Sequence, residues 1–180
     1  MSKEIWFTSD THFFHKNVIK YSNRPFENAL EMNEKLIHNW NERVKPTDDI
    51  YHLGDFGFAS TSRLETIFNQ LNGNKYLILG NHDKDAMKLK WAWIKERYEL
   101  YTQHPNRQLY VLSHYAHKVW NKSHHGSIML FGHSHGSLTD IDNQTLDVGV
   151  DCWNYAPCNI AEIQQKLETL PKRKSRDHHE

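Results

Sequence analysis

The sequence predicts an α/β protein, a four-layer α-β-β-α sandwich of two mixed sheets packed face to face with helices outside. Short apolar runs recur along it, among them Ile5-Trp6-Phe7, Tyr76-Leu77-Ile78-Leu79 and Ile128-Met129-Leu130-Phe131, and read as buried strands. Segments with apolar residues three and four apart separate these runs in the first half, whereas the second half is richer in strands. Strand–helix alternation followed by a strand-rich stretch gives two sheets that bury each other, with helices covering the outside.

The elements follow in order. Ile5 to Ser9 is a strand and Asp10 to His15 a loop. Asn28 to Val44 reads as a helix through Leu30, Met32, Leu36, Ile37, Trp40 and Val44, bounded by Pro25 and Pro46. Ile50 to Leu53 is the second strand. Ser60 or Thr61 can cap a helix with Leu64, Ile67, Phe68 and Leu71 inward, closed by Asn72-Gly73. Lys75 to Leu79 is a strand, and Asp85 to Tyr98 is expected to be a helix carrying Met87, Leu89, Trp91 and Ile94. Leu100 to Thr102 and Gln108 to Leu112 read as strands around a Pro105-Asn106 turn. His117 to Gly126 is polar and irregular, and Ile128 to Phe131 is a strand. Ser137 to Ile141 and Thr145 to Val148 suggest a hairpin across Asp142-Asn143. Ile160 to Leu170 is a final helix.

The chain has 180 residues, enough for one domain with a sizeable core, expected over residues 1–170. Residues 171–180 form a charged tail with the composition of disorder. Lys plus Arg and Asp plus Glu both number 22, so the formal net charge is zero, which argues against long nucleic acid as the main ligand. Cys152 and Cys158 lack a partner cluster and read as free thiols of a reducing compartment. The N-terminus lacks a signal-peptide pattern, and no apolar run approaches the roughly 18–20 residues that cross a bilayer. A soluble, cytoplasmic protein is expected. The oligomeric state is left open.

Histidine is abundant, at 14 residues, and part of it falls into a pattern. Five clusters of metal-ligand residue types lie in order: Asp10-Thr11-His12, Gly54-Asp55, Gly80-Asn81-His82-Asp83, His114, and Gly132-His133-Ser134-His135. Each follows an apolar run. Strands that end side by side bring their following loops to one rim, so these residues can meet in space. A carboxylate can bridge two cations and reduce their repulsion, and a mixed Asp, His and Asn set suits transition-metal ions. Taken singly, each cluster has an ordinary reading. Asp10 can cap a turn, Asp55 can fill a Gly-Asp turn, and His133 and His135 would share one face of a strand. The ordered set is what weighs against coincidence.

These motifs resemble those of the calcineurin-like metallophosphoesterases. Ser9-Asp10-Thr11-His12-Phe13-Phe14-His15-Lys16-Asn17 and Leu146-Asp147-Val148-Gly149-Val150-Asp151 look like the short single-domain phosphoesterases of bacteria and their phages. The resemblance implies two divalent ions, manganese favoured, with iron, zinc or nickel suiting the same donors. It implies that Asp10, His12 and His135 hold one ion and Asn81, His114 and His133 the other, with Asp55 bridging. His82 would face the phosphate, to stabilise its oxygens or protonate the leaving group, and Asp83 would orient the His82 ring or serve structure alone. In such sites a water between the ions is acidified and becomes the nucleophile.

Other residues carry weaker signals. His15 can contact substrate or sit at a surface or core edge. Arg24 can reach a phosphate, although a solvated arginine is more usual. Trp153-Asn154-Tyr155 can line the cleft, with packing favoured for the aromatics. His52 reads as hydrogen-bonded or packed, and His124-His125 as solvated. His38, His104 and His117 carry no spacing signal, and His178-His179 belong to the tail.

The function expected is hydrolysis of phosphate esters, diesters of a small molecule or nucleotide foremost. Phosphomonoesterase action and nuclease action on short strands are the alternatives among enzymes. A non-catalytic protein-binding module on the same fold is the alternative of another class, against which the retained His82 counts.

Overall fold

The computed structural model describes residues 3–103 and 107–174. In chain order its elements are β1 (Ile5–Thr8), α1 (Lys16–Tyr21), α2 (Ala29–Arg43), β2 (Asp49–His52), α3 (Thr61–Phe68), β3 (Asn74–Ile78), β4 (Ile94–Lys95), β5 (Arg97–Thr102), β6 (Gln108–Ser113), β7 (Ile128–Phe131), β8 (Thr145–Asp147), β9 (Cys158–Asn159) and α4 (Ile160–Glu168), with short 3-10 turns between. One sheet has the order β4-β3-β2-β1-β9 and the other β5-β6-β7-β8. Both are mixed. β9 runs antiparallel to β1 and β5 antiparallel to β6, while the remaining neighbours are parallel. The two-sheet sandwich is the architecture expected from the strand order.

Period-two alternation explains why the strands read as unbroken apolar runs. Successive residues point to opposite faces, and both faces are covered. Trp6, Ile50 and Leu77 pack toward Met32, Leu36 and Trp40 of α2 and Leu64 and Ile67 of α3. Their neighbours Phe7, Tyr51 and Ile78 face the second sheet through Tyr110, Leu112 and Leu130. The far face of that second sheet carries Leu109, Val111, Met129 and Phe131 beneath Trp120 of the irregular segment between β6 and β7. α4 contacts the edge strands β8 and β9, and its Ile163 and Leu167 join the core between the sheets.

Helix ends follow local chemistry. The Asn28 side chain accepts from the amides of Leu30 and Glu31 and caps α2. Asn159 and Glu162 form a capping box on α4. Ser60 precedes α3 without a side-chain capping bond, and α3 ends at Phe68, short of the expected Asn72-Gly73 stop. Gly73 still has a left-handed φ of 95°.

Two expected elements are corrected. The helix over Asp85 to Tyr98 does not form. Ala86–Lys88 makes one 3-10 turn, and the chain then extends along the free edge of β3. There Ala92 N donates to Lys75 O, Leu77 N to Trp93 O and Leu79 N to Lys95 O, at 2.8, 3.1 and 2.9 Å. Satisfying that edge outweighs helical spacing, because an unpaired backbone group in a covered sheet is costly. The hairpin across Asp142-Asn143 is also absent. Residues 137–141 form no strand, and β8 pairs in parallel with β7. Asp142 instead closes a local turn, accepting from Thr145 N at 3.0 Å and Gln144 N at 3.0 Å.

The expected Pro105-Asn106 turn lies outside the described residues, as do His104 and residues 175–180 of the tail. Within the tail, Pro171 O accepts from Asn143 N. Arg173 bonds Asp142 and Lys118 O and stacks over Trp120.

Candidate metal-binding site

Five parallel strands deliver the site. The loops after β1, β2 and β3 leave one sheet, and those after β6 and β7 leave the other, all at the same rim. Backbone bonds stitch the loops together: Asp10 N to Gly54 O, His12 N to Asp55 O, Gly132 N to His114 O and Val150 N to Ser9 O, each 3.0 Å. The approach is close enough to require glycine. A Cβ on Gly54 would lie 2.5 Å from His114 Nδ1, and one on Gly80 or Gly132 would collide with Asp55 Oδ1 or Ser9 Oγ. Five residues singled out as ligands have left-handed backbones: Asp10, His12, Asp55, His133 and His135, with φ between 47° and 64°. Such conformations in non-glycine residues cluster where function demands them.

The converging side chains form two groups, Asp10–His12–His135 and Asp55–His114–His133, each with ligand atoms within 4.8 Å of one another. Asp55 links the groups. Its Oδ2 lies 3.6 Å from His12 Nε2 and its Oδ1 3.7 Å from His114 Nε2. Asn81 joins the second group, with Oδ1 3.2 Å from His114 Nε2. The first group has Asp10 Oδ1 3.9 Å from both His12 Nε2 and His135 Nε2.

The donor chemistry fits cations. Buried Asp10 Oδ1 and His12 Nε2 lack any hydrogen-bond partner, a costly state for interior polar atoms. His114 Nδ1–H donates to Leu53 O at 2.7 Å, which points Nε2 at Asn81 Oδ1 and Asp55 Oδ1, 3.2 and 3.7 Å away. A ring nitrogen converging with an amide oxygen and a carboxylate oxygen is a donor set that a cation completes. Burial pushes the Asp10 carboxyl up to about 7 and holds His12 far below the usual imidazole range.

Around these groups lies a brace that the sequence had not assigned. Arg24 is buried, neither solvated nor turned to the cleft. It grips Asp151 through Nε and Nη2, both at 2.8 Å, and donates to the carbonyls of Asp10 and Thr11. Asp151 accepts from His135 Nδ1 at 2.7 Å, which leaves Nε2 free toward Asp10. Burial opposes the Asp151 charge, yet His135 and Arg24 hold its carboxyl below the usual range. Asp147 accepts from Gly136 N and Gly149 N. The Leu146–Asp151 stretch stood out in the sequence, but no role there was legible.

Other expectations resolve in place. Asp83 does not orient the His82 ring. Its carboxylate accepts from the amides of Asp55, Phe56 and Gly80, at 2.9, 2.9 and 2.8 Å, locking one ligand loop to the next. His52 is buried, with Nε2 2.9 Å from Thr11 Oγ1. Asn154 lies apart from the cleft, lining a hollow beside Asn39 and Trp153. Trp153 packs, its Nε1 donating to Asp147 O. Tyr115, which no sequence signal marked, donates from its hydroxyl to Asn81 Oδ1 at 3.1 Å.

A cleft of about 800 Å³ opens over the groups, lined by His12, His15, Asp55, Asn81, His133 and His135 among others. His82 is exposed in it and belongs to neither group, while its backbone N donates to Asp55 Oδ1. A smaller hollow near Lys3, Tyr101 and Asn159 lies at the opposite ends of the strands.

Residues 4–150 match the calcineurin-like phosphoesterase superfamily domain. The chain belongs to that superfamily. An uncharacterised protein of Methanocaldococcus jannaschii is 32% identical over 174 residues, covering 92% of each chain. The gene 66 protein of Mycobacterium phage L5 is 29% identical over 180 residues, covering 82% of this chain and 86% of its own. Among solved structures, a protein of unknown function from Aquifex aeolicus superposes with a TM-score of 0.70 at 23% identity, over 92% of this chain and all of that one. A novel archaeal phosphodiesterase superposes at a TM-score of 0.50 and 19% identity, over 81% and 82%. These likenesses carry the phosphoesterase fold. The paired ligand groups of this chain sit at its rim. No helix among the described residues is long and apolar enough to cross a membrane.

Proposed function

We propose that this phosphoesterase binds two divalent cations and hydrolyses phosphodiesters of a small molecule or nucleotide. The observation that carries the reading is the divided Asp55 carboxylate, one oxygen toward each group. Asp10, His12 and His135 would hold one cation and Asn81, His114 and His133 the other, with Asp55 between. Manganese is favoured, and iron, zinc or nickel suit the same donors. When bound, such ions supply Lewis acidity and an acidified water.

The chain's own groups do the rest. The Asp83 and Arg24 contacts hold the ligand loops in register. His82, free of both groups and exposed in the cleft, is placed to hydrogen-bond a phosphoryl oxygen and pass a proton to the departing one. His15 shares the cleft, its Nδ1 3.3 Å from His12 Nδ1. The fold shared with an archaeal phosphodiesterase agrees with a diester substrate.

The test is release of p-nitrophenolate from bis-p-nitrophenyl phosphate and from p-nitrophenyl phosphate, with manganese and with a chelator control. The diester is expected to turn over faster, and His82→Ala at matched metal content to lose at least about 100-fold. No release above the control with manganese, iron, zinc or nickel would overturn the proposal.

A further inference from the structure

Phe58 and Tyr21 are large aromatic side chains left in the open, 54% and 79% exposed, and both line the cleft above the ligand groups. Neither belongs to a hydrophobic core. Phe58 is held in place: its backbone N donates to Phe13 O at 2.8 Å, and its ring stacks on His15 with centroids 4.7 Å apart at 22°. The same ring meets the edge of His82 at 5.6 Å. A flat apolar surface therefore stands directly beside the group expected to face phosphate. Tyr21 ends α1 on the same cleft. Both rings are open to whatever occupies that cleft.

Charge narrows the ligand further. None of the described residues lining the cleft is Lys or Arg. Arg24, the nearest buried cation, is spent on Asp151 and two carbonyls. Beyond the ligand groups the cleft offers neutral partners such as Asn17, Asn23, Ser134 and Ser137. A ligand with several phosphates would find no counter-charge beside the metal site, whereas a neutral ring with hydrogen-bonding edges would. The cleft volume suits a ligand the size of a nucleotide.

From this juxtaposition of open rings, neutral amides and a single anion site we infer that Phe58 and Tyr21 stack the base of a nucleoside phosphodiester whose one phosphate lies over the ligand groups. The inference rests on the phosphodiesterase reading and names its substrate class. In the reaction, water oxygen bonds to phosphorus and the bond from phosphorus to the leaving oxygen breaks. The leaving oxygen takes a proton, yielding a nucleoside monophosphate and an alcohol.

Two synthetic diesters with one leaving group test it: thymidine 5′-(p-nitrophenyl phosphate) and methyl p-nitrophenyl phosphate, with the manganese-loaded full chain. The thymidyl ester is expected to have the higher kcat/KM, by about tenfold or more, the scale of one base–aromatic stack. Phe58→Ala and Tyr21→Ala should each shrink that ratio about fivefold, mainly through KM, while Phe58→Trp retains it. A ratio near one in the unaltered protein, or variants that leave the ratio unchanged, would overturn the inference and leave the phosphodiesterase reading intact. If neither ester is turned over with manganese, iron, zinc or nickel, the hydrolase reading fails and equilibrium binding decides the stacking site. Thymidine 5′-phosphate binding about tenfold tighter than inorganic phosphate, dependent on Phe58, supports it, and equal affinities overturn it.

Discussion

The two ligand groups share Asp55 but are held by different means. The Asp10–His12–His135 group is backed by a buried ion pair, Arg24 with Asp151, which reaches both a ligand ring and the carbonyls of its loop. The Asp55–His114–His133 group is backed by the Leu53 carbonyl and by Tyr115, whose ring is about half exposed, and its His133 is exposed. A low-dielectric brace fixes geometry more firmly than one open to water. The first group is therefore expected to bind its cation tightly and the second to exchange it readily.

Removing what the groups share should have the largest effect. Asp55→Gly, which removes the carboxylate on a backbone that glycine tolerates, is expected to lower kcat/KM by at least about a thousandfold, or about 4 kcal/mol at 1.36 kcal/mol per decade. Metal analysis should show both cations lost. A variant that keeps one cation and near-normal turnover would break the bridging assignment.

Next comes the brace of the first group. Arg24→Ala strands the Asp151 charge in the interior and should cost about 3–5 kcal/mol in urea unfolding. The gentler Asp151→Asn should keep the fold and weaken the tighter cation about 10–100-fold, with the weaker one barely changed. Equal weakening of both cations in a calorimetric titration would erase the contrast between the groups.

Acid should act through the buried histidine behind the first group. His52 bonds Thr11 within the first group's loop, and burial pushes its pKa from 6.5 down to about 3. Folded chains keep the ring neutral where unfolded chains protonate it. Stability from this site is thus complete above pH 6.5 and drains away as pH falls toward 3. His12, His15 and His133 are lowered in the same sense, burial first among the causes. Burial moves the Asp10 carboxyl the opposite way, up to about 7, so the His52 share is read by difference: the denaturant midpoint of metal-free His52→Gln should fall less with acid between pH 6.5 and 3 than that of the unaltered chain. An unchanged slope would remove His52 from the account. The smallest effect falls on the second group: Tyr115→Phe, losing one bond to Asn81, should weaken the looser cation by about 1 kcal/mol. A loss as large as that of Asp151→Asn would reverse the ranking of the braces.

The strands that carry the site were legible because they are buried on both faces, so Trp6-Phe7 or Leu77-Ile78 stand out as apolar whichever way they point. The ligand clusters were legible because each sits immediately beyond such a run. The segment around Trp91 and Trp93 was not, since its spacing fits a helix and only the open edge of β3 converts it to extended chain. Arg24 and Asp151 lie 127 residues apart, and nothing local in either announces a buried pair. Asp83 shows the same limit from the other side. Its proximity to His82 in sequence pointed at the ring, whereas two of its three amide donors, Asp55 and Phe56, come from a loop folded against it and the third, Gly80, from its own.

The left-handed ligand residues bear on how variants of this protein must be read. Alanine at Asp10, His12, Asp55, His133 or His135 deletes a side chain and also puts an ill-suited residue on a backbone with φ near +50° to +60°. An alanine scan would thus confound coordination with conformational tension. Asparagine and glycine tolerate that twist, so Asp55→Asn and His133→Gly are the cleaner probes, and saturation libraries should expect β-branched substitutions there to fail for reasons unrelated to catalysis.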